Sequence, residues 1–212
     1  EGDELILHYQ PKIDMASGRV MGLEALVRWQ NPELGLVSPG EFIPLAEETG
    51  LIIPIGAWVL EAACTQAMNW REEEFDPLTM AVNLSGLQFR RPGLSSQVRK
   101  VLMKTGLPPE YLELELTESI LMGDTKGTIT ALHELKEMGL KLSVDDFGTG
   151  YSSLSYLKHF PLDYLKIDRS FVRDIEHERD DAALTNAIIT MAHGLGLNVI
   201  AEGIENITQL FI

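Results

Sequence analysis

Two adjacent carboxylates, Asp145-Asp146, stop the short apolar run Leu142-Ser143-Val144 and precede Phe147-Gly148-Thr149-Gly150. The pattern reads as a buried strand, an acidic tip and a loop with two glycines that runs into Tyr151-Ser152-Ser153-Leu154. Neighbouring acids at one strand end repel each other unless a cation sits between them. The same pair also suits an Asp-rich turn, because Asp is a favoured turn residue. On this stretch alone the two readings stand level. The rest of the chain separates them, because polar residues recur at strand ends.

Those strands are read as follows. Leu5 to Ile13 and Val20 to Trp29 read as strands joined by the turn Met-Ala-Ser-Gly-Arg, so they form an antiparallel hairpin. Glu24, Leu26 and Arg28 share one face of the second strand, because side chains alternate with period two. Ser38-Pro39-Gly40-Glu41 opens a helix that ends at Gly50. A long helix from about Ile55 to Arg71 has Trp58, Ala62, Thr65, Ala67 and Met68 as its packing positions. From Leu78 onward strands and helices alternate. Strands run from Leu78 to Asn83, Tyr111 to Thr117, through Asp145, Leu162 to Asp168, and Leu197 to Ala201. Helices lie near Leu94 to Thr105, Thr125 to Met138, Ser152 to Lys158, Asp181 to Leu195 and from Asn206.

This alternation, with no low-complexity break, predicts one α/β domain with parallel strands. An open sheet and a closed barrel both satisfy it. Glu24, Asn83, Glu115, Asp145, Lys166 and Glu202 fall at or near successive strand carboxyl ends, which favours the (β/α)8 barrel and its catalytic face. Carboxylates and one amide converging there need cations. Hard oxygen ligands without Cys or His suit Mg2+ or Mn2+. A pair of such ions roughly 3.5–4 Å apart is a standard device for in-line attack on a phosphate ester. Each acid taken singly reads better as a helix cap or surface charge, and the repetition across strand ends is what points to the metal. Lys166 reads either as an active-site cation or as an ion-paired lysine that steadies the acids. Arg28 reads as a phosphate grip or as a salt bridge to Glu24.

Bulk properties bound the partners. The chain has 212 residues and a net charge of −15 from 17 basic and 32 acidic residues. Such a balance argues against a broad grip on DNA, RNA or an anionic membrane. Hydrophobic residues make up 45% and charged residues 23%, the range of a globular domain. The single cysteine, Cys64, excludes an internal disulfide, points to a reducing, cytoplasmic setting and reads as a small core residue on a helix. No signal peptide and no bilayer-spanning apolar run is seen. Asn83-Leu84-Ser85 and Asn206-Ile207-Thr208 match the glycosylation pattern, which is short enough to occur by chance.

Glu24-Ala25-Leu26-Val27-Arg28-Trp29 resembles the signature of the EAL family of cyclic di-GMP phosphodiesterases. The resemblance continues through Tyr9-Gln10-Pro11, Asn83-Leu84-Ser85, Glu115-Leu116-Thr117-Glu118-Ser119, the Asp145 to Leu154 stretch, Lys166-Ile167-Asp168-Arg169-Ser170-Phe171-Val172 and Ala201-Glu202-Gly203-Ile204-Glu205. It covers essentially the whole chain, read as a single EAL phosphodiesterase domain over residues 1–212. It implies a modified TIM barrel with an antiparallel first strand and hydrolysis of cyclic di-GMP to linear pGpG. It implies two Mg2+ or Mn2+ ions that lower the proton affinity of a shared water. Glu24, Asn83, Glu115 and Asp145 would hold one ion. Asp145 would bridge to the second, which Asp146 and Glu202 would complete. Lys166 would position the water or offset charge on phosphorus. Gln10 and Arg28 would contact substrate, Glu118 would steady the Asp146 to Leu154 loop, and Asp168 and Glu205 would support the site. The resemblance also implies a homodimer and N-terminal sensory or GGDEF domains in the parent protein. The family continues to a further strand with a Gln-Gly motif, so a chain stopping at Ile212 is expected to lack its last strand. The alternative function is a catalytically silent cyclic di-GMP receptor, which loss of Glu24, Asp145 or Lys166 would favour. All three are present.

Overall fold

The computed structural model of the chain describes residues 4–73, 77–121, 125–149 and 157–211. They divide into two compact units, residues 1–114 with 137–140, and residues 115–136 with 141–212.

In the first unit, β1 (Leu5–Ile13) and β2 (Val20–Asn31) form the expected antiparallel hairpin, with Gln10 opposite Glu24. A short third strand, β3 (Gly35–Val37), pairs back onto the end of β2. The turn between them is held by the Asn31 side chain, which accepts hydrogen bonds from the backbone N–H groups of Glu33 and Leu34 at 2.9 Å each. On its other edge β2 runs parallel to β4 (Thr79–Leu84), but only over Gly22 to Ala25. Beyond Ala25 the strand serves β1 and β3, which is why it reaches Asn31 and why Glu24 lies inside it and not at its end.

Helix α1 (Pro39–Thr49) begins and ends as its sequence directs, with Gly50 in the left-handed region at φ 76°. The Ser38 side chain makes no capping bond, although Ser with Glu three residues on is the sequence pattern of a capping box. A capping box forms instead at α3 (Gly86–Phe89), where Ser85 Oγ accepts from Gln88 N and Gln88 Oε1 accepts from Ser85 N, both at 3.2 Å. The long helix α2 (Ile52–Glu72) buries Val59, Leu60, Ala63, Cys64 and Ala67. Trp58 is instead 40% exposed and Thr65 is exposed, so the packing face is rotated by one residue from the expected one. Burial pushes the Cys64 thiol up to about 12, which fits an inert core residue. Helix α4 (Leu94–Thr105) closes at Gly106 and buries Val98, Val101 and Leu102.

Gly56 of α2 faces the same Gln88. A Cβ placed there would lie 1.9 Å from Gln88 Nε2. Gly56→Ala gains roughly 1 kcal/mol of helix propensity but must drive the buried amide out of its capping box, at roughly 1–3 kcal/mol of overpacking plus about 1 kcal/mol for the cap. A net loss of about 1–3 kcal/mol is expected, readable as a lower urea midpoint. An unchanged midpoint would show that the Gln88 side chain yields freely.

Strand β5 (Leu112–Thr117) follows a single 3-10 turn and carries the division between the units, after Leu114. It stands between β4 and β6 (Lys141–Phe147) in the strand order. In the second unit β6, β7 (Tyr164–Ile167) and β8 (Asn198–Ala201) run parallel. Helices α5 (Glu118–Leu121) and α6 (Thr125–Glu137) follow β5, α7 (Arg169–Arg173) and α8 (Arg179–Gly194) follow β7, and α9 (Ile207–Phe211) follows β8. The short α7 is additional to the helices read from the sequence, and Asp168 caps it by accepting from Ser170 N at 3.0 Å. The expected helix from Ser152 to Lys158 falls mostly outside the described residues. Residues 142–145 of β6 are buried throughout, as a parallel strand covered on both faces requires. No helix among the described residues is long and apolar enough to cross a membrane.

Candidate functional site

Leu112-Glu113-Leu114-Glu115-Leu116 alternates as a half-exposed strand would, yet the glutamates are as buried as the leucines: Glu113 is 2% exposed and Glu115 1%. A carboxylate taken out of water must be paired. In the first unit Glu113 meets Lys12 Nζ at 2.9 Å. In the second unit Glu115 meets Lys166 Nζ at 2.6 Å.

Lys166 is the largest fully buried side chain described. Besides Glu115, its ammonium lies 3.1 Å from Asp145 Oδ2 and 2.7 Å from Glu202 Oε1. Three donors of one ammonium thus meet three carboxylates. These distances show Lys166 ion-paired, which fits both readings of it.

The Asp145-Asp146 pair owes its arrangement to a break in the ladder. Val144 pairs with Leu165 and Phe147 with Ile167, so both aspartates stand opposite the single residue Lys166. A regular strand would send adjacent side chains to opposite faces. A bulge of two residues against one re-aims the extra side chain. Asp146 accordingly takes φ 53°, the single positive φ among described non-glycine residues. Its N–H donates to Asp145 Oδ1 at 2.9 Å, and its carbonyl accepts from Thr149 Oγ1 at 2.8 Å. One carboxylate oxygen each from Asp145, Asp146 and Glu202 then lies within 4.8 Å of the others. Burial raises the Asp146 carboxyl above its ordinary value, and the Asp145 charge adds to the effect. Burial likewise raises Glu202, despite the opposing pull of Lys166. Carboxylates that resist ionisation side by side, offering oxygen donors alone, are what Mg2+ or Mn2+ would fit.

The neighbouring residues anchor the frame. Glu118, 4% exposed, accepts from Gly148 N at 3.2 Å and so holds the start of the loop after β6. Residues 150–156 lie outside the described residues. Asp168 is spent on capping α7. Partial burial would raise its carboxyl, but hydrogen bonds from Ser170 hold it below its ordinary value. The Glu205 side chain is exposed, and its backbone N–H donates to Gln209 Oε1 at 2.8 Å.

In the first unit Glu24 Oε1 accepts from Asn83 Nδ2 at 2.8 Å, which couples β2 to β4. Gln10, exposed on β1, stands opposite Glu24. Arg28 Nη1 donates to the Val27 carbonyl at 2.8 Å.

The sequence profile of the EAL domain matches residues 1–211, and the chain belongs to that family. It is 48% identical over 209 residues to the bifunctional diguanylate cyclase/cyclic di-GMP phosphodiesterase MucR of Pseudomonas aeruginosa, covering 99% of this chain and 30% of that protein. It is 47% identical over 208 residues to the cyclic di-GMP phosphodiesterase NbdA of the same organism, covering 98% of this chain and 27% of that protein. The chain therefore spans about 30% of the length of these curated relatives. A solved structure described as PaMucR phosphodiesterase in a c-di-GMP complex superposes with a TM-score of 0.95 at 48% identity, covering 98% of this chain and 84% of that one. The fold is thus α/β of the modified TIM-barrel class, with the antiparallel first strand seen here.

Proposed function

We propose that this domain is a metal-dependent phosphodiesterase that hydrolyses cyclic di-GMP to linear pGpG. The observation that carries the reading is the Asp145, Asp146 and Glu202 cluster around buried Lys166, in a chain whose relatives include named cyclic di-GMP phosphodiesterases.

Asp145, Asp146 and Glu202 would hold Mg2+ or Mn2+, with Glu115 beside Asp145 through their shared lysine. Glu24 and Asn83 are proposed as further ligands on the family likeness. Mg2+ or Mn2+, when bound, supplies Lewis acidity and lowers the proton affinity of water. The chain's own residues do the rest. Lys166, set among three acids, lends positive charge where negative charge grows on the phosphoryl oxygens. The bulge sets both Asp145 and Asp146 opposite Lys166, where each offers a carboxylate oxygen to the same place. Glu118 fixes Gly148 and with it the loop that follows. Asp168 holds the backbone that follows Lys166, and Glu205 is assigned a supporting place beside Glu202 on the family likeness. Gln10 and Arg28 are assigned to substrate, Arg28 as a phosphate grip. A cytoplasmic setting, a homodimer and sensory or GGDEF domains elsewhere in the parent complete the reading.

The test is direct. Incubation with cyclic di-GMP and Mg2+ or Mn2+ should release pGpG, and EDTA should stop it. Binding of the nucleotide without product under every metal condition would replace the enzyme reading with that of a receptor.

A further inference from the structure

The Asn206-Ile207-Thr208 triplet, which matches a glycosylation acceptor, has a different use. Asn206 Oδ1 accepts from Gln209 N at 3.0 Å, while Gln209 Oε1 accepts from Asn206 N at 3.3 Å and from Glu205 N at 2.8 Å. Asn206 and Gln209 therefore form a reciprocal capping box at the start of α9. The amide nitrogen is left over. Gln209 Nε2 reaches 3.1 Å to the Arg173 carbonyl, at the end of α7, where helix carbonyls lack an internal partner.

That last bond closes a ring. One arm runs from Lys166 through Ile167 and the Asp168 cap into α7 and Arg173. The other runs from Gln209 back through Glu205 and Gly203 to Glu202. The arms rejoin at the 2.7 Å contact between Lys166 and Glu202, beside which Glu202 N donates to the Ile167 carbonyl at 3.1 Å. Midway they touch again: Gly203, at φ 70°, lies so close to α7 that a Cβ would come 2.8 Å from Arg169 Cβ. The segment after Glu202 is four residues of coil and bend before α9, with no ladder of its own. Its position is set by these few contacts.

We propose that Gln209 is a positioning residue for Glu202, acting as a strut between α9 and α7 that sets where the Glu202 carboxylate stands relative to Asp145 and Asp146. This rests on the reading of Glu202 as a metal ligand. A cap of α9 and a strut to α7 make different demands, and Gln209→Glu separates them. Glutamate at this position keeps the capping box but has no N–H to give the Arg173 carbonyl.

Two readouts are compared in wild type, Gln209→Glu and Gln209→Ala. The first is the Mn2+ concentration at half of the metal-induced rise in melting temperature. The second is hydrogen exchange at the Glu202 amide without metal. Gln209→Glu is expected to melt as wild type does without metal, to need about tenfold or more Mn2+, the effect usual for groups that orient a ligand, and to exchange the Glu202 amide faster. If Gln209→Ala fails to fold, Gln209→Glu still decides. Wild-type Mn2+ response and exchange in Gln209→Glu would overturn the strut while leaving the metal reading intact. Absence of any Mn2+ response in wild type would overturn the metal reading and the strut with it.

Discussion

Lys166→Met is expected to lower the stability of the metal-free domain by about 3–5 kcal/mol, the usual effect of removing one partner from a buried ion pair. At this chain length that is a fall in melting temperature on the order of 10 °C. Methionine nearly matches lysine in length, so the space stays filled and the loss is electrostatic. It leaves Glu115, Asp145 and Glu202 facing one another without the ammonium now 2.6, 3.1 and 2.7 Å away. The pH dependence carries the proof. Glu202 already lies above its ordinary value through burial, and Lys166 pulls it down. Without Lys166 the folded-state proton affinity of Glu202 rises further. The folded variant then binds more protons than the unfolded chain, so its stability falls as pH rises. The deficit against wild type should therefore shrink as pH is lowered from 8 toward 5. Thermal melts across that range decide: a variant that melts as wild type does at neutral pH would show that Lys166 does not compensate the acids. Turnover should be lost as well.

Glu24→Ala should lower pGpG production at least about 100-fold, since losing a group that only supports a ligand already costs 10–100-fold. The fold should persist, because Glu24 is half-buried and its described partner, Asn83, is itself exposed. Glu24→Gln sharpens the point. It preserves an acceptor for Asn83 Nδ2 and removes only the charge. Equal loss in both variants, with melting temperatures near wild type, assigns the effect to the carboxylate. Near-normal kcat in Glu24→Ala would remove Glu24 from the catalytic group altogether.

Much of this was legible because local chemistry and long-range position agree. Pro39 and Gly50 bracket α1 as their backbone preferences dictate. The Leu-Glu alternation of β5 and the apolar run of β6 are where the structure has strands. Other features escaped for definite reasons. Trp58 fits the helical spacing of a packing face, but small residues at 56, 63, 64 and 67 let other elements approach α2 on the adjacent face. Period-two reasoning assigns Asp145 and Asp146 to opposite faces, and nothing in their identity announces a bulge. The strut at Gln209 had a signal, Asn206-x-x-Gln209, but only as a helix cap. Its second bond goes to a backbone carbonyl 36 residues away in sequence, which no local pattern encodes. The buried Lys12–Glu113 pair was hidden in the same way, its partners being 101 positions apart.

The two-against-one pairing at Asp145-Asp146 makes the domain vulnerable to length as well as to composition. Removing one residue between Val144 and Phe147 would restore an even ladder and leave a single aspartate facing Lys166. Every other residue assigned to the chemistry would survive, and alignment to the family would register one gap. Silencing by so small an edit needs no altered amino acid, so copies of this domain are to be judged by counting across β6 before their motifs are compared.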